Sequence, residues 1–186
     1  VSIFRSIRRK SLAKKVDHFR TSVYSKGDSA MYVMVVARGY PTERYKMNGI
    51  FEFDQAKALA DLGHKVVYAA VDVRSVLRWR RWGIERKNTS GVEIYAINIP
   101  GGRVPTAMLH RVRTTGLSML YGRIVREQGR PDVMHAHFPF PSYAASQLKD
   151  RTGVPLVVTE HLSAMMEPEI SPRICSAANA AYENAD

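Results

Sequence analysis

The chain has 186 residues, 45% of them hydrophobic, enough for one domain with a core of its own. No apolar run approaches the ~18 residues of a membrane-spanning helix, and charges interrupt the N-terminal segment too often for a secretory signal. The single cysteine, Cys175, excludes an internal disulfide and makes a reducing, cytoplasmic setting the expected one.

The net charge of +11 is unevenly placed: residues 1–30 hold eight basic residues against two acidic ones. Within residues 1–24, Ile3, Phe4, Ile7, Leu12, Val16 and Phe19 recur at roughly helical spacing between the basic positions. That pattern reads as a basic amphipathic helix. Such an arm suits an anionic membrane surface at the inner face of the membrane, or it is a solvated tail. Residues 25–29 read as a linker, so residues 1–30 form an arm and residues 31–186 a domain.

The domain opens with a nearly continuous apolar run, Met31 to Ala37, the signature of a strand covered on both faces. Gly39, Pro41 and Asn48-Gly49 mark a loop. The spacing of Phe53, Ala56, Leu59 and Ala60 predicts a helix over 49–62, which Gly63 ends. A second strand follows over 64–71, and residues 74–87 read as irregular and basic. A third strand is expected over 92–99, a long helix over 106–128, a fourth strand over 131–136, a helix over 141–151, a fifth strand over 155–159 and a final helix from Ser171. Strands alternating with helices imply an α/β fold built on a Rossmann-like, doubly wound parallel sheet. Ligands in such sheets sit outside the carboxyl ends of the strands. The loops at 38–49, 72–75, 100–104, 137–142 and 160–168 are therefore the ones to inspect.

Three features there carry chemistry. The glycine loop running into a helix offers free N–H groups to a phosphate, although an ordinary strand-to-helix turn looks the same. It is not a G-x-G-x-x-G fingerprint. His135 and His137 share one strand face by alternation. No Cys or carboxylate cluster completes a metal set around them, so no metal is expected. His137, at the strand exit, is the candidate to meet substrate as a catalytic residue, and His135 is expected to be buried in the strand. Glu160 and His161, directly after the fifth strand, suit hydroxyl binding or proton transfer, or else they cap neighbouring loops. No G-x-S-x-G elbow and no phosphate-binding G-x-x-x-x-G-K-[ST] loop is present, which disfavours a serine hydrolase and a triphosphatase. Nucleic acid is not an expected partner either, since no reading motif occurs and the charge gathers in the arm.

Taken in order, four blocks are more specific than their parts. They are Asn48-Gly49-Ile50-Phe51 with Ala58-Leu59-Ala60-Asp61-Leu62-Gly63-His64-Lys65-Val66, Pro131-Asp132-Val133-Met134-His135-Ala136-His137, Gly153-Val154-Pro155-Leu156-Val157-Val158-Thr159-Glu160-His161, and Ala181 to Asp186. Together they resemble the N-terminal, acceptor-side half of glycosyltransferase family 4 enzymes of the GT-B fold, over residues 31–186. The resemblance implies transfer of a sugar from a nucleotide-diphosphate sugar to the hydroxyl of a glycan or lipid-linked acceptor, with retention of configuration and no cofactor or metal, in the service of polysaccharide or glycolipid synthesis. It implies that Asn48 and Gly49 face the donor phosphates, that His137 lies beside the transferred sugar, and that Glu160 and His161 line the acceptor side. It also implies a C-terminal donor-binding domain, in the same or a separate chain, without which residues 1–186 are expected to be inactive. The alternative is a non-catalytic subunit that recruits the donor-binding chain of a split transferase to a membrane. One departure is that Asn48 stands where the family often has a first glycine.

Overall fold

The computed structural model describes residues 30–75, 77, 82–101, 105–163 and 169–186; the N-terminal arm lies outside the described residues. Residues 31–186 fold as one compact unit. Six strands form one sheet: β1 (Tyr32–Ala37), β2 (Lys65–Arg74), β3 (Gly83–Thr89), β4 (Val92–Pro100), β5 (Val133–His137) and β6 (Leu156–Thr159), in the order β3-β4-β2-β1-β5-β6. Every pairing is parallel except β3 with β4, which is antiparallel. The expected Rossmann-like architecture is therefore present, with one correction. The stretch read as irregular contains an edge strand, Gly83–Thr89, whose Glu85, Arg86 and Lys87 hid it from an apolar-run criterion.

Alternate strand residues feed two cores. On one face Met34, Val36, Val67, Ala69, Tyr95, Met134 and Leu156 pack with Leu117, Leu120 and Ile124 of α2 (Thr106–Gln128) and with Ala145 and Leu148 of α3 (Pro139–Thr152). On the other, Val33, Val35, Tyr68, Ala70 and Ile94 meet Phe53 and Ala56 of α1 (Ile50–Asp61). Helices on both faces make the sheet doubly wound.

The last helix, α4 (Pro172–Glu183), buries Ala177, Ala178 and Ala181. Beyond it, Asp186 Oδ2 accepts from the Leu156 amide (2.9 Å) and from Lys149 Nζ (2.7 Å). These bonds tie the end of α4 to the start of β6 and to α3, and they hold the Asp186 carboxyl below its usual range. This is a physical reason for an aspartate at the close of the fourth sequence block.

Candidate active site

The parallel order brings the carboxyl ends of β1, β5 and β6 side by side, with the start of α1 beside them. Alternation along β5 turns His135 and His137 to the face opposite Met134 and Ala136, with ring centroids 4.3 Å apart. The register sets His135 against Val157 and His137 against Thr159. His135 Nε2 shares a hydrogen bond with Thr159 Oγ1 at 2.7 Å. His137 Nδ1 shares one with His161 Nε2 at 3.1 Å, and these two rings stack at 5.3 Å and 7°.

His137, expected at the strand exit to meet substrate, is the last residue of β5 and is 0% exposed, whereas His135, expected to be buried in the strand, is only partly buried. The loop expected at 137–142 is absent because α3 starts at Pro139, leaving a single residue between strand and helix. His161 is the exposed member of the imidazole column, and it also stacks on Phe51, itself exposed, at 6.1 Å. Burial above all, with His135 and His161 adding, lowers the His137 pKa to about 3, so the ring is neutral at physiological pH. Burial and then His161 lower His135 as well. His137 Nε2 is buried and has no hydrogen-bond partner. The His137 ring is thus a neutral imidazole, bonded through Nδ1 to His161, with its Nε2 unspent. Among the described residues no group of three or more His, Cys, Asp or Glu side chains is placed to hold a metal ion.

Phe138, the one residue between β5 and α3, has φ 65° and ψ 156°, a region that is nearly glycine-only and costs on the order of 1–3 kcal/mol. The surroundings hold it there. Its amide donates to the Thr159 carbonyl (3.1 Å), and its ring lies 5.5 Å from His161 and 4.1 Å beneath the Arg38 guanidinium.

The other expected residues are placed as follows. The Glu160 carboxylate is committed to its own turn: Oε1 accepts from the His161 amide (2.8 Å) and the Leu162 amide (2.6 Å), and Oε2 from the Tyr182 hydroxyl (2.9 Å). Burial, followed by Glu160, pushes the Tyr182 hydroxyl up to about 12. Glu160 therefore sets where His161 stands. Asn48, with its amide in the orientation that satisfies both ends, accepts from Arg74 Nη2 (2.6 Å) and from the Tyr40 amide (3.2 Å). Arg74 is in turn paired with the buried Asp72 at 2.7 Å and lies over Tyr45. Asn48 thus latches the loop to the end of β2. Gly49 has φ 71°, and a Cβ there would stand 2.7 Å from the Gly39 carbonyl carbon and 3.0 Å from the Tyr68 hydroxyl. That hydroxyl donates to the Gly39 carbonyl at 2.8 Å.

Two residues were missed by sequence reasoning. Glu52, in the first turn of α1, is 0% exposed, and neither of its carboxylate oxygens has a hydrogen-bond partner. Its ionic contact is Arg38 Nε at 3.5 Å. Burial above all raises its pKa, against the weaker opposing pull of the Arg38 charge. A signal was available: Glu52 sits four residues before Ala56 and seven before Leu59, on the stripe that α1 turns inward.

A mostly parallel, doubly wound sheet with polar side chains gathered at its carboxyl edge defines the Rossmann-like class of domains. Residues 53–185 match the Glycosyl transferase 4-like domain, and the chain belongs to that family. Sucrose-phosphate synthase from Thermosynechococcus elongatus superposes with a TM-score of 0.57 at 14% identity, covering 85% of this chain and 41% of that one. The catalytic domain of starch synthase IV from Arabidopsis thaliana, solved bound to ADP and acarbose, gives 0.48 at 15% identity over 80% of this chain and 38% of that one. An α,α-trehalose-phosphate synthase from Burkholderia xenovorans, solved with glucose-6-phosphate, gives 0.47 at 15% identity over 83% and 38%. The first likeness is one of fold, and the chain spans about two fifths of the length of each of these proteins. No curated protein matches the chain in sequence.

Proposed function

We propose that the chain is the acceptor-side domain of a retaining glycosyltransferase. The enzyme moves a sugar from a nucleotide-diphosphate donor to an acceptor hydroxyl in polysaccharide or glycolipid synthesis. The observation that carries this reading is the His137–His161 pair at the β5 and β6 exits, with the buried His137 ring neutral and its Nε2 unspent, and the His161 ring exposed. A neutral imidazole both donates to and accepts from hydroxyls, which suits a sugar ring better than an anion. His161 meets the ligand first and His137 stands behind it, beside the transferred sugar. Base and ribose of the donor are held by a donor-binding domain in the same or a separate chain. The basic arm, if it lies on an anionic membrane, brings the cleft to lipid-linked acceptors at the inner face. No helix among the described residues is long and apolar enough to cross a membrane.

The test is transfer by the complete enzyme across UDP-, GDP- and ADP-sugars, with His137→Ala checked for folding by circular dichroism. Loss of a transition-state contact of this kind reduces turnover by roughly 10²–10³. A folded His137→Ala enzyme with near-normal turnover would overturn the assignment. An enzyme with no transfer to any acceptor, together with a separate donor-binding chain that it carries to membranes, would favour the recruiting-subunit reading.

A further inference from the structure

Helices α2 and α3 cover the sheet face opposite the histidines. Where α4 packs on α3, a groove of about 540 Å³ opens among the three helices. Packed helices usually meet through apolar side chains. Here the groove is lined by Arg111, Thr114 and Thr115 of α2, Tyr143 and Gln147 of α3 and Ser176 of α4. None of these six side chains has a hydrogen-bond or ionic partner among the described residues. One turn further along, the same two helices are bridged: Arg151 Nη2 donates to Ser118 Oγ at 2.5 Å, and Ser118 Oγ donates to the Thr114 carbonyl at 2.7 Å. Thr114 and Ser118, like Gln147 and Arg151, are four residues apart and share a helix side. The sequence thus bridges one level of the α2–α3 contact and leaves the next one open.

His110 keeps that level open. Its ring packs against Phe140, 5.7 Å away, and edge-on against Tyr143, 4.7 Å away, which spaces α2 from the first turns of α3. Burial, with Arg113 adding, lowers the His110 pKa, so the ring brings no charge. Arg111 is then the one charged residue of the described lining, and no acid faces it. Hydroxyl and amide groups beside an aromatic ring suit the hydroxyls and the apolar face of a sugar. A single exposed guanidinium suits a carboxylate, which has one charge and accepts two parallel bonds.

We propose that this groove is a second carbohydrate site, on the other side of the sheet from the histidines, that holds a uronic-acid unit of the glycan. Arg111 takes the carboxylate, and Thr114, Gln147 and Ser176 take ring hydroxyls. The inference rests on the sugar-transfer reading for its ligand class and adds a binding site apart from the reacting groups.

The test is amide NMR of the isotope-labelled 186-residue chain, titrated with digalacturonic acid and with its neutral dimethyl ester. The acid should shift the amides of residues 107–115, 143–147 and 176–177 and bind more tightly than the ester. Arg111→Gln should weaken binding of the acid about tenfold, the loss of one charged hydrogen-bonding group, and leave the ester unchanged. Gln147→Ala should weaken both about fivefold, the loss of one neutral hydrogen bond. Arg126→Gln, an exposed arginine farther along α2, reports the general effect of removing one positive charge. Binding of the acid by folded Arg111→Gln as tight as by Arg126→Gln would overturn the proposal. So would equal affinity for acid and ester, or shifts confined to the residues around His137 and His161. Groove binding in a protein whose complete form transfers no sugar sinks the transfer reading alone. An active enzyme with no binding at the groove sinks this inference alone.

Discussion

Family resemblance assigns Gly49 to the donor phosphates, but the structure gives it an internal task, and the two separate by mutation. Gly49→Ala forces a side chain into the left-handed region, which costs ~1–2 kcal/mol. It also drives the new methyl to 2.7 Å from the Gly39 carbonyl carbon and 3.0 Å from the Tyr68 hydroxyl. Overpacking of this kind adds ~1–3 kcal/mol, and the stiffer unfolded chain returns ~0.4–1 kcal/mol. The net loss is about 3 kcal/mol, or roughly 6–12 °C in Tm for a domain of this size. Gly63→Ala is the matched control: φ is 92° there, yet nothing lies within 4 Å of the added Cβ. It should cost about 1 kcal/mol. Thermal and urea unfolding of the two variants measures the difference. Equal losses at the two positions would refute the packing argument and return Gly49 to a purely ligand-facing role.

His137 and His161 act through one hydrogen bond, so His137→Ala and His161→Ala in the complete enzyme should be non-additive in turnover, with a coupling of about 1 kcal/mol or more; additive losses would show two independent contacts. Stability should fall with acid. His137 has its folded pKa lowered to about 3, below the ~6.5 of an unfolded histidine, so the unfolded chain binds the extra proton between those values. Its share of stability is full above about pH 6.5 and drops by roughly 2 kcal/mol on going from pH 7 to pH 5. Glu52, raised in the fold, works in the opposite sense, its share being lost as pH rises through its folded pKa. Urea unfolding at the two pH values should show the acid loss shrinking in His137→Gln; an unchanged loss would mean that His137 is not the group held neutral. For the arm, residues 1–186 should co-sediment with anionic vesicles, less so as salt rises, and residues 31–186 should not; equal behaviour of the two chains would make the arm a solvated tail.

Elements with an apolar interior were legible in the sequence. The run Tyr-Val-Met-Val-Val-Ala of β1 is buried at every position, and such a run has few other uses in a chain of this size. The α2 helix lies where its periodicity placed it, Thr106–Gln128. Strand β3 escaped because an outer edge strand has a partner on one side and water on the other. Its Glu85-Arg86-Lys87 is the charged surface that protects such an edge from further pairing. α3 starts two residues before the expected Pro141, because Pro139 also fits a first helical turn, where proline is at home.

The site divides along the same line. The three histidines could be found because alternation and strand ends are local properties, readable from Met134-His135-Ala136-His137 itself. Which histidine is covered is a non-local fact, settled by β6 lying beside β5 and by Glu160 fixing the turn that carries His161 over His137. Arg38 and Glu52 are fourteen residues apart in the sequence and acquire meaning only when α1 packs its first turn against the end of β1. A charged residue on the inward stripe of a helix is nonetheless a conflict that can be read in advance. Burying an acid costs several kcal/mol unless a cation meets it. Glu52 on the line of Ala56 and Leu59 therefore demands a basic partner, and the nearest place to look is the exit of the strand that precedes the helix, where Arg38 stands.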